Sequence, residues 1–393
     1  WPGTKLEEFE ASHDLVILTA RLGDHVWARR AMGRADRVWL LARADARPSL
    51  PLLPEDASPA AKLKLLDVVL IHHEGVARAV QPREWADAAA AARLFHWRQG
   101  STADVKRLAR TLAGQSIGLV LSGGGARAYA HIGAVRAFAE AGLPFDFIGG
   151  ASMGAIIGAG VGLDWTQEEL VDRVHQAFVS SNPLSDWRLP VVSLTSGHKV
   201  DERLKRHFGE IDIADMYRPF FCVSSNLSTG QPKVHRSGLL RDALRASIAL
   251  PGILPPVVEG DDLLVDGAVF TNFPSEQMRA FHRGPNIGAD VTRARGVDPQ
   301  DFVDPPSFFG WVRRHGLGEP PPIASLLMRA ATAGTMVGKH AEFLDAVDLV
   351  ALPETDTDLR EWKLFHNTID AGYVAAMRAM DEMDDAVRVR LGL

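Results

Sequence analysis

The 393-residue chain has one cysteine, no apolar run long enough to cross a membrane, and no excess of positive charge. A single cysteine, Cys222, excludes an internal disulfide and fits a reducing compartment; within Pro219-Phe-Phe-Cys222-Val it reads as a core thiol. The longest stretch of low polarity, 147–163, is too short and too glycine-rich for a spanning helix. No charged start followed by an apolar run opens the chain, so no signal peptide is read there. A chain that begins with Trp1 is expected to be a piece of something longer. The formal net charge of −6 argues against nucleic acid as the main partner. No motif calls for a metal or a cofactor.

What is present is an ordinary globular composition, 46% hydrophobic and 23% charged, with ample material for a core. Two short apolar runs, each followed by a glycine turn, stand out between positions 116 and 162. The first, 117–121, predicts a buried strand running into Ser122-Gly-Gly-Gly-Ala-Arg127, with a helix over 130–141 that Gly142 closes. In the second, Phe147 and Ile148 lead into Gly150-Ala-Ser152-Met-Gly154, a Gly-x-Ser-x-Gly elbow. A serine exposed at a sharp strand-to-helix turn needs small neighbours, and Gly150 and Gly154 supply that room. The amides of Gly123, Gly124 and Gly125 offer an anion-binding surface beside it.

Around this centre the pattern alternates strand and helix. Residues 14–19, 37–42 and 67–72 predict three strands, with helices over 25–32 and 59–66, the latter capped by Ser58 with Pro59 at its first position. That alternation predicts a small parallel α/β subdomain, Rossmann-like, over residues 1–100. Helices are expected over 87–93 and 104–112, and Gly100-Ser101 marks the boundary with a second domain, 101–393. Thr166 and Glu169 have capping-box spacing at the head of a helix reaching Val179, with Leu170, Val174 and Phe178 on one face. Residues 180–196 predict a pocket wall or lid, 201–208 a helix and 220–225 a strand. A helix from Arg241 ends before Pro251, strand 263–265 delivers Asp266-Gly267-Ala268, and a further strand lies within 284–291. Residues 304–322 read as loop, and 362–387 as a helix with Ile369, Tyr373 and Met377 on one face.

The residues admit three chemical readings. Gly123-x-Gly125-x-x-Ala128 fits a loose dinucleotide fingerprint with Asp146 roughly twenty residues on, but Asp146 precedes the second strand instead of ending it. No Gly-Lys-Ser/Thr follows, so the Walker pattern fails. A Ser-Asp-His triad is permitted by chain order, since His282, His315, His340 and His366 all follow Asp266, although none stands in a motif. The third reading pairs Ser152 directly with Asp266.

Gly123-Gly-Gly-Ala-Arg127, Gly150-Ala-Ser152-Met-Gly154 and Asp266-Gly267-Ala268, in that order, resemble the three signature motifs of the patatin-like phospholipases. Longer strings, Phe221-Cys-Val-Ser-Ser-Asn226 and Ala246-Ser-Ile-Ala-Leu-Pro-Gly-Ile-Leu-Pro-Pro256 among them, resemble the neuropathy target esterase branch of that family, over roughly 101–387. The segment with Ala35-Asp-Arg-Val-Trp-Leu-Leu41 is similar to what precedes the catalytic domain there. One departure is Ala128, where the family usually has glycine. The resemblance implies a three-layer α/β/α hydrolase domain. It also implies a Ser152–Asp266 dyad, an oxyanion hole at Gly123, Gly124, Gly125 and Arg127, and an acyl-serine intermediate. The implied substrates are lysophospholipids, with phospholipids and simple carboxylic esters beside them. In full-length relatives, cyclic-nucleotide-binding-like modules lie further upstream. The expected location is cytoplasmic, with peripheral contact at the inner membrane face. Phe308, Phe309 and Trp311 beside Arg313 and Arg314 are a membrane-contact candidate, set against the simpler reading that they cover the core. A silent scaffold is the alternative from another class, with a triad esterase or thioesterase as the other enzymatic one.

Overall fold

The computed structural model describes residues 3–21, 25–49, 65–180, 183–186, 188, 191–292, 340–354 and 364–393, with positions 307, 310, 313 and 330. It divides into two compact units, Trp1–Ala113 and Gly114–Leu393.

The first unit holds helices α1 (Gly3–Ser12) and α2 (His25–Arg34), strands β1 (Arg37–Arg43) and β2 (Leu65–His72), α3 (Pro82–Ala89), β3 (Arg93–Arg98) and α4 (Thr102–Leu112). The three strands are parallel, in the order β1-β2-β3. Val68 and Leu70 of the central strand are fully buried with Leu40, Ala42, Trp85 and Ala89. Asp67, on the opposite face of the same strand, is fully buried and accepts hydrogen bonds from Arg93 Nε and Nη2 and from Arg37 Nη1. A buried carboxylate is tolerated only when paired in this way.

Two local expectations change here. Residues 14–19 form no strand and have no sheet partner among the described residues, leaving Leu15 49% and Ile17 63% exposed. The third strand is β3, where the sequence pattern suggested the end of a helix. Its inward positions carry Arg93 and His96, which pair with Asp67 and His72, and those polar residues mask the apolar signal of a buried strand. Residues 59–64 of the expected second helix lie outside the described residues, and Leu65 and Leu66 open β2. The Gly100-Ser101 turn does not divide the units. Ser101 caps α4, and Asp104 in its first turn binds Arg98 at the end of β3, so α4 stays with the first unit.

The second unit runs β4 (Gly118–Leu121), α5 (Ala130–Glu140), β5 (Phe147–Ala151), α6 (Met153–Gly162), α7 (Gln167–Val174), α8 (His198–Phe208), β6 (Phe220–Asn226), β7 (Gln231–His235), α9 (Leu240–Ser247), β8 (Val257–Glu259), β9 (Asp262–Asp266), α10 (Ser275–Phe281), β10 (Asn286–Ala289), α11 (His340–Asp345), β11 (Leu349–Ala351), α12 (Phe365–Glu382) and α13 (Asp385–Leu391). The sheet order is β11-β10-β4-β5-β6-β9-β8, with β7 also paired to β6. Strands β11, β10, β4, β5 and β6 are parallel, while β9 joins β6 antiparallel. Strands β4 and β5 are buried at every position, which is why they read as unbroken apolar runs. Chain order reverses at β4, with β5 and β6 on one side and β10 and β11 on the other; such a switch point opens a crevice at the strands' carboxyl ends.

Alternation along β5 and β6 builds the layers. Ile148 and Phe220 face Gly158 of α6, whereas Phe147 and Phe221 meet Phe281 of α10, so helices cover both faces of the sheet. Thr166 and Glu169 form the capping box, and α7 runs on through a π-helical turn, His175–Val179, with Leu170, Val174 and Phe178 buried. The C-terminal helix buries Phe365, Ile369, Gly372, Ala376 and Met380. Met377 is 37% exposed and lies off this stripe. Tyr373 sits at its edge, donating to Glu140 Oε2 at 2.7 Å under the Arg136 guanidinium.

Helices α5 and α12 approach to backbone contact. A Cβ on Gly133 would strike the Ile369 carbonyl, and one on Gly372 would strike the Ala130 carbonyl. Both obstacles are backbone, so neither can swing aside. Gly133→Ala and Gly372→Ala are therefore each expected to destabilise the fold by about 1–3 kcal/mol, read as a lower urea midpoint in chemical unfolding.

Candidate active site

Strand β4 ends at Leu121, and the glycine turn that follows is pinned from two directions. Ser122 donates its N–H to Ala289 O at 3.2 Å, accepts Val291 N–H on Oγ at 2.9 Å, and its carbonyl accepts His131 Nε2–H at 2.8 Å. Gly123 N–H donates to Asn272 O at 3.1 Å, and Asn272 Nδ2 donates back to Gly123 O at 3.2 Å. Arg127 N–H closes the turn on Gly124 O at 3.1 Å. Among the described residues, neither Gly124 N–H nor Gly125 N–H donates to a protein acceptor. Gly125 has φ +56, a left-handed conformation that glycine adopts without strain. A Cβ on Gly123 would sit 3.1 Å from Ser152 Cβ, which makes the loop and the elbow direct neighbours.

Ser152 links β5 to α6 at φ 52, ψ −128. For a side chain other than glycine, such a conformation costs about 1–3 kcal/mol and persists only where its surroundings enforce it. The two flanking glycines have separate jobs. A Cβ on Gly150 would meet Ala155 N and Gly154 C at 2.7 Å, inside the elbow itself, whereas one on Gly154 would strike the Ser122 carbonyl on β4's extension.

The end of β9 brings Asp266 to the serine. Ser152 Oγ–H donates to Asp266 Oδ2 at 2.7 Å, and Ala268 N–H donates to Oδ1 at 2.8 Å. Asp266 N–H is in turn held by Ala249 O at 2.9 Å. Ser152 is 6% exposed and Asp266 fully buried. Both hydrogen bonds favour the carboxylate, but burial opposes charge more strongly and pushes the Asp266 pKa up to about 7. Gly267 is required next, since a Cβ there would strike the Val223 carbonyl. The backbone N–H of Ser152 donates to Ser247 Oγ at 2.9 Å, and Ser247 Oγ–H donates to Val223 O at 2.7 Å.

The remaining candidates fall elsewhere. Asp146 sits at the amino end of the strands, its Oδ2 accepting Ile117 N–H at 3.0 Å, so it cannot serve a cofactor at the glycine turn. Among the described residues, neither Ser152 nor Asp266 bonds a histidine. His282 instead accepts Gly284 N–H on Nδ1, places its other nitrogen 2.8 Å from Asn286 Oδ1 and stacks on Phe147. His366 packs beside Phe365 and His175. His315 and the His340 side chain lie outside the described residues, as do Phe308, Phe309, Trp311 and most of 304–322. Asn272 and Ser247 were not legible as site residues: each acts through hydrogen bonds to backbone groups distant in sequence.

The Asp266 pKa has a stability consequence with a definite sign. Its ordinary value is 3.8 and its folded value about 7, so between those pH values the folded chain holds a proton that the unfolded chain has lost. The contribution is fully present below about pH 4 and lost as pH rises through 7. Asp266→Asn, which cannot ionise, should gain stability relative to the parent between pH 4.5 and 8, as measured by urea unfolding at a series of pH values about one unit apart.

The patatin-like phospholipase family model matches residues 119–279, a span that contains the first glycine turn, the elbow and Asp266. An uncharacterized NTE family protein of Mycobacterium tuberculosis is 34% identical over 290 residues, covering 72% of this chain and 49% of that protein. The lysophospholipase NTE1 of Mycosarcoma maydis is 37% identical over 215 residues, 53% of this chain and 11% of that one. Patatin-like phospholipase domain-containing protein 6 of Homo sapiens is 30% identical over 338 residues, 78% of this chain and 24% of that one. The chain thus spans about half the length of its mycobacterial relative and less of the others. With the two glycine turns and the acidic strand end all inside the matched span, residues 119–279 of this chain form a domain of the patatin-like phospholipase family.

Proposed function

We propose that the chain is a serine hydrolase of lipid carboxylic esters, with lysophospholipids as its substrate class. The observation that carries this reading is the 2.7 Å hydrogen bond from Ser152 Oγ to a buried carboxylate, beside two backbone amides that have no acceptor among the described residues. The substrate class follows the name of the fungal relatives, lysophospholipase.

Ser152 Oγ attacks the ester carbonyl as its proton passes to Asp266 Oδ2. A free aspartate, with a pKa of about 4, is a poor base for a hydroxyl. Burial lifts Asp266 to about 7, which brings its proton affinity into a useful range. The tetrahedral oxyanion is held by Gly124 N–H and Gly125 N–H. Gly123 shapes the hole without donating to it, since its N–H is committed to Asn272 O. Arg127 acts likewise through its backbone, closing the turn on Gly124. Collapse of the intermediate breaks the ester C–O bond, and Asp266 returns its proton to the leaving glycerol oxygen. Water, deprotonated by the same carboxylate, then cleaves the acyl-serine to release fatty acid.

The reaction would take place at the cytoplasmic water face of a lipid surface. Among the described residues, no helix is long and apolar enough to cross a membrane. A tagged chain is expected in the soluble or the carbonate-extractable membrane fraction of cells, and carbonate resistance would oppose peripheral contact.

Ser152→Ala and Asp266→Asn should each lower hydrolysis of a lysophospholipid by at least about a thousandfold while leaving the fold intact. Ser152→Ala should also abolish labelling by a fluorophosphonate probe. Full turnover in either variant defeats the dyad. Because the base must be ionised, kcat/KM for a short soluble ester should rise with pH around a midpoint of about 7. A profile flat from pH 5 to 9 would remove Asp266 from the role of base.

A further inference from the structure

The backbone of the nucleophile is held by a side chain that the dyad mechanism does not use. Ser247, the last residue of α9, is fully buried, and both of its hydrogen bonds have a fixed direction. Val223 offers a carbonyl, which can only accept, so the single hydroxyl proton of Ser247 is committed there at 2.7 Å. Ser152 offers an N–H, which can only donate, so a Ser247 lone pair is committed to it at 2.9 Å. The hydroxyl therefore has no rotational choice left.

We infer that Ser247 is a positioning residue for the nucleophile: it locks the strained elbow by tying Ser152 N–H to the carbonyl of Val223 on the neighbouring strand. This rests on the serine hydrolase reading above. Val223 stands opposite Ala151 in the register of β5 and β6, so the tie fixes the residue immediately after the last paired position of β5. The Val223 carbonyl lies close to Gly267, beside Asp266, where an added Cβ would strike it. One hydroxyl thus references the nucleophile to the strand that separates it from its base. It also occupies the Ser152 N–H, which keeps that donor from competing with Gly124 and Gly125 for the oxyanion. Without Ser247, a buried N–H would have no acceptor and the φ +52 conformation would lose an enforcing contact.

The test measures steady-state kinetics on a short soluble ester and a lysophospholipid, with active sites counted by exhaustive fluorophosphonate titration. Ser247→Ala should lower kcat per titrated site about 10- to 100-fold with KM within about twofold of the parent. Ser247→Thr, which keeps the hydroxyl, should recover most of that loss. Thr368→Ala removes a buried hydroxyl from α12, where it bonds Leu364 O at 2.8 Å; it should lower Tm without changing kcat per site. Should Ser247→Ala fail to fold, Ser247→Cys, with its weak acceptor, must show the same fall in kcat at constant KM. A kcat per site within twofold of the parent in the folded Ala variant, or in the Cys variant that replaces it, overturns the inference whatever happens to Tm. Ser152→Ala assayed alongside separates the two claims. Turnover surviving in that variant defeats the hydrolase reading and this inference together, whereas a dead Ser152→Ala beside a fully active Ser247→Ala defeats this inference alone.

Discussion

The hydrogen bond between Ser152 Oγ and Asp266 Oδ2 joins residues 114 positions apart, and much of the second unit can be understood as what that bond requires. Ser152 leaves the carboxyl end of β5, and Asp266 ends β9, which runs antiparallel on the far side of β6. Strand β9 runs back along β6 from its carboxyl end and stops with Asp266 opposite Ser224, one residue beyond the Val223 that pairs with Ala151. The register of β9 on β6 is thus the feature that sets Asp266 level with Ser152.

Close backbone approach is the second constraint, and glycine is how the chain meets it. Gly154 lets α6 start against the Ser122 carbonyl, Gly267 lets the aspartate turn pass the Val223 carbonyl, and Gly133 with Gly372 lets α12 lie on α5, the helix that follows the first glycine turn. At each of these positions the obstacle is main chain, so no neighbouring rotamer can relieve it. Gly123 differs, because its N–H is bonded to the Asn272 carbonyl. The turn at the end of β9 therefore does two things: Asp266 accepts from Ser152 Oγ, and six residues later Asn272 clamps the first glycine turn.

Burial completes the arrangement electrically. Asp266 accepts from Ser152 and Ala268, both of which favour its anion, yet removal from water dominates and holds its pKa near 7. A more exposed carboxylate with the same partners would hold its proton less tightly. His131 illustrates the opposite effect. Fully buried and driven down to about 4, it stays neutral and serves as a fixed donor to Ser122 O.

How much of this was legible in the sequence follows from whether a feature depends on neighbours along the chain or across it. The strands before both glycine turns, the elbow, the capping box at Thr166 and the order of the three motifs are local patterns, and each stands where its residues predicted. Strand β3 was missed because Arg93 and His96 satisfy partners on β2 that no local pattern reveals, and residues 14–19 have a strand's apolar content but no strand beside them. The C-terminal stripe was displaced because the close glycine contact, not apolar residues alone, sets which side of α12 faces inward. The sequence by itself determined that a serine sits at a sharp strand-to-helix turn near a glycine-rich loop, because those needs are written into adjacent residues. Only the tertiary structure decided which carboxylate meets that serine, which glycine amides remain free, and that Ser247 holds its backbone, because each of these depends on a bond between strand ends that only the sheet order brings together.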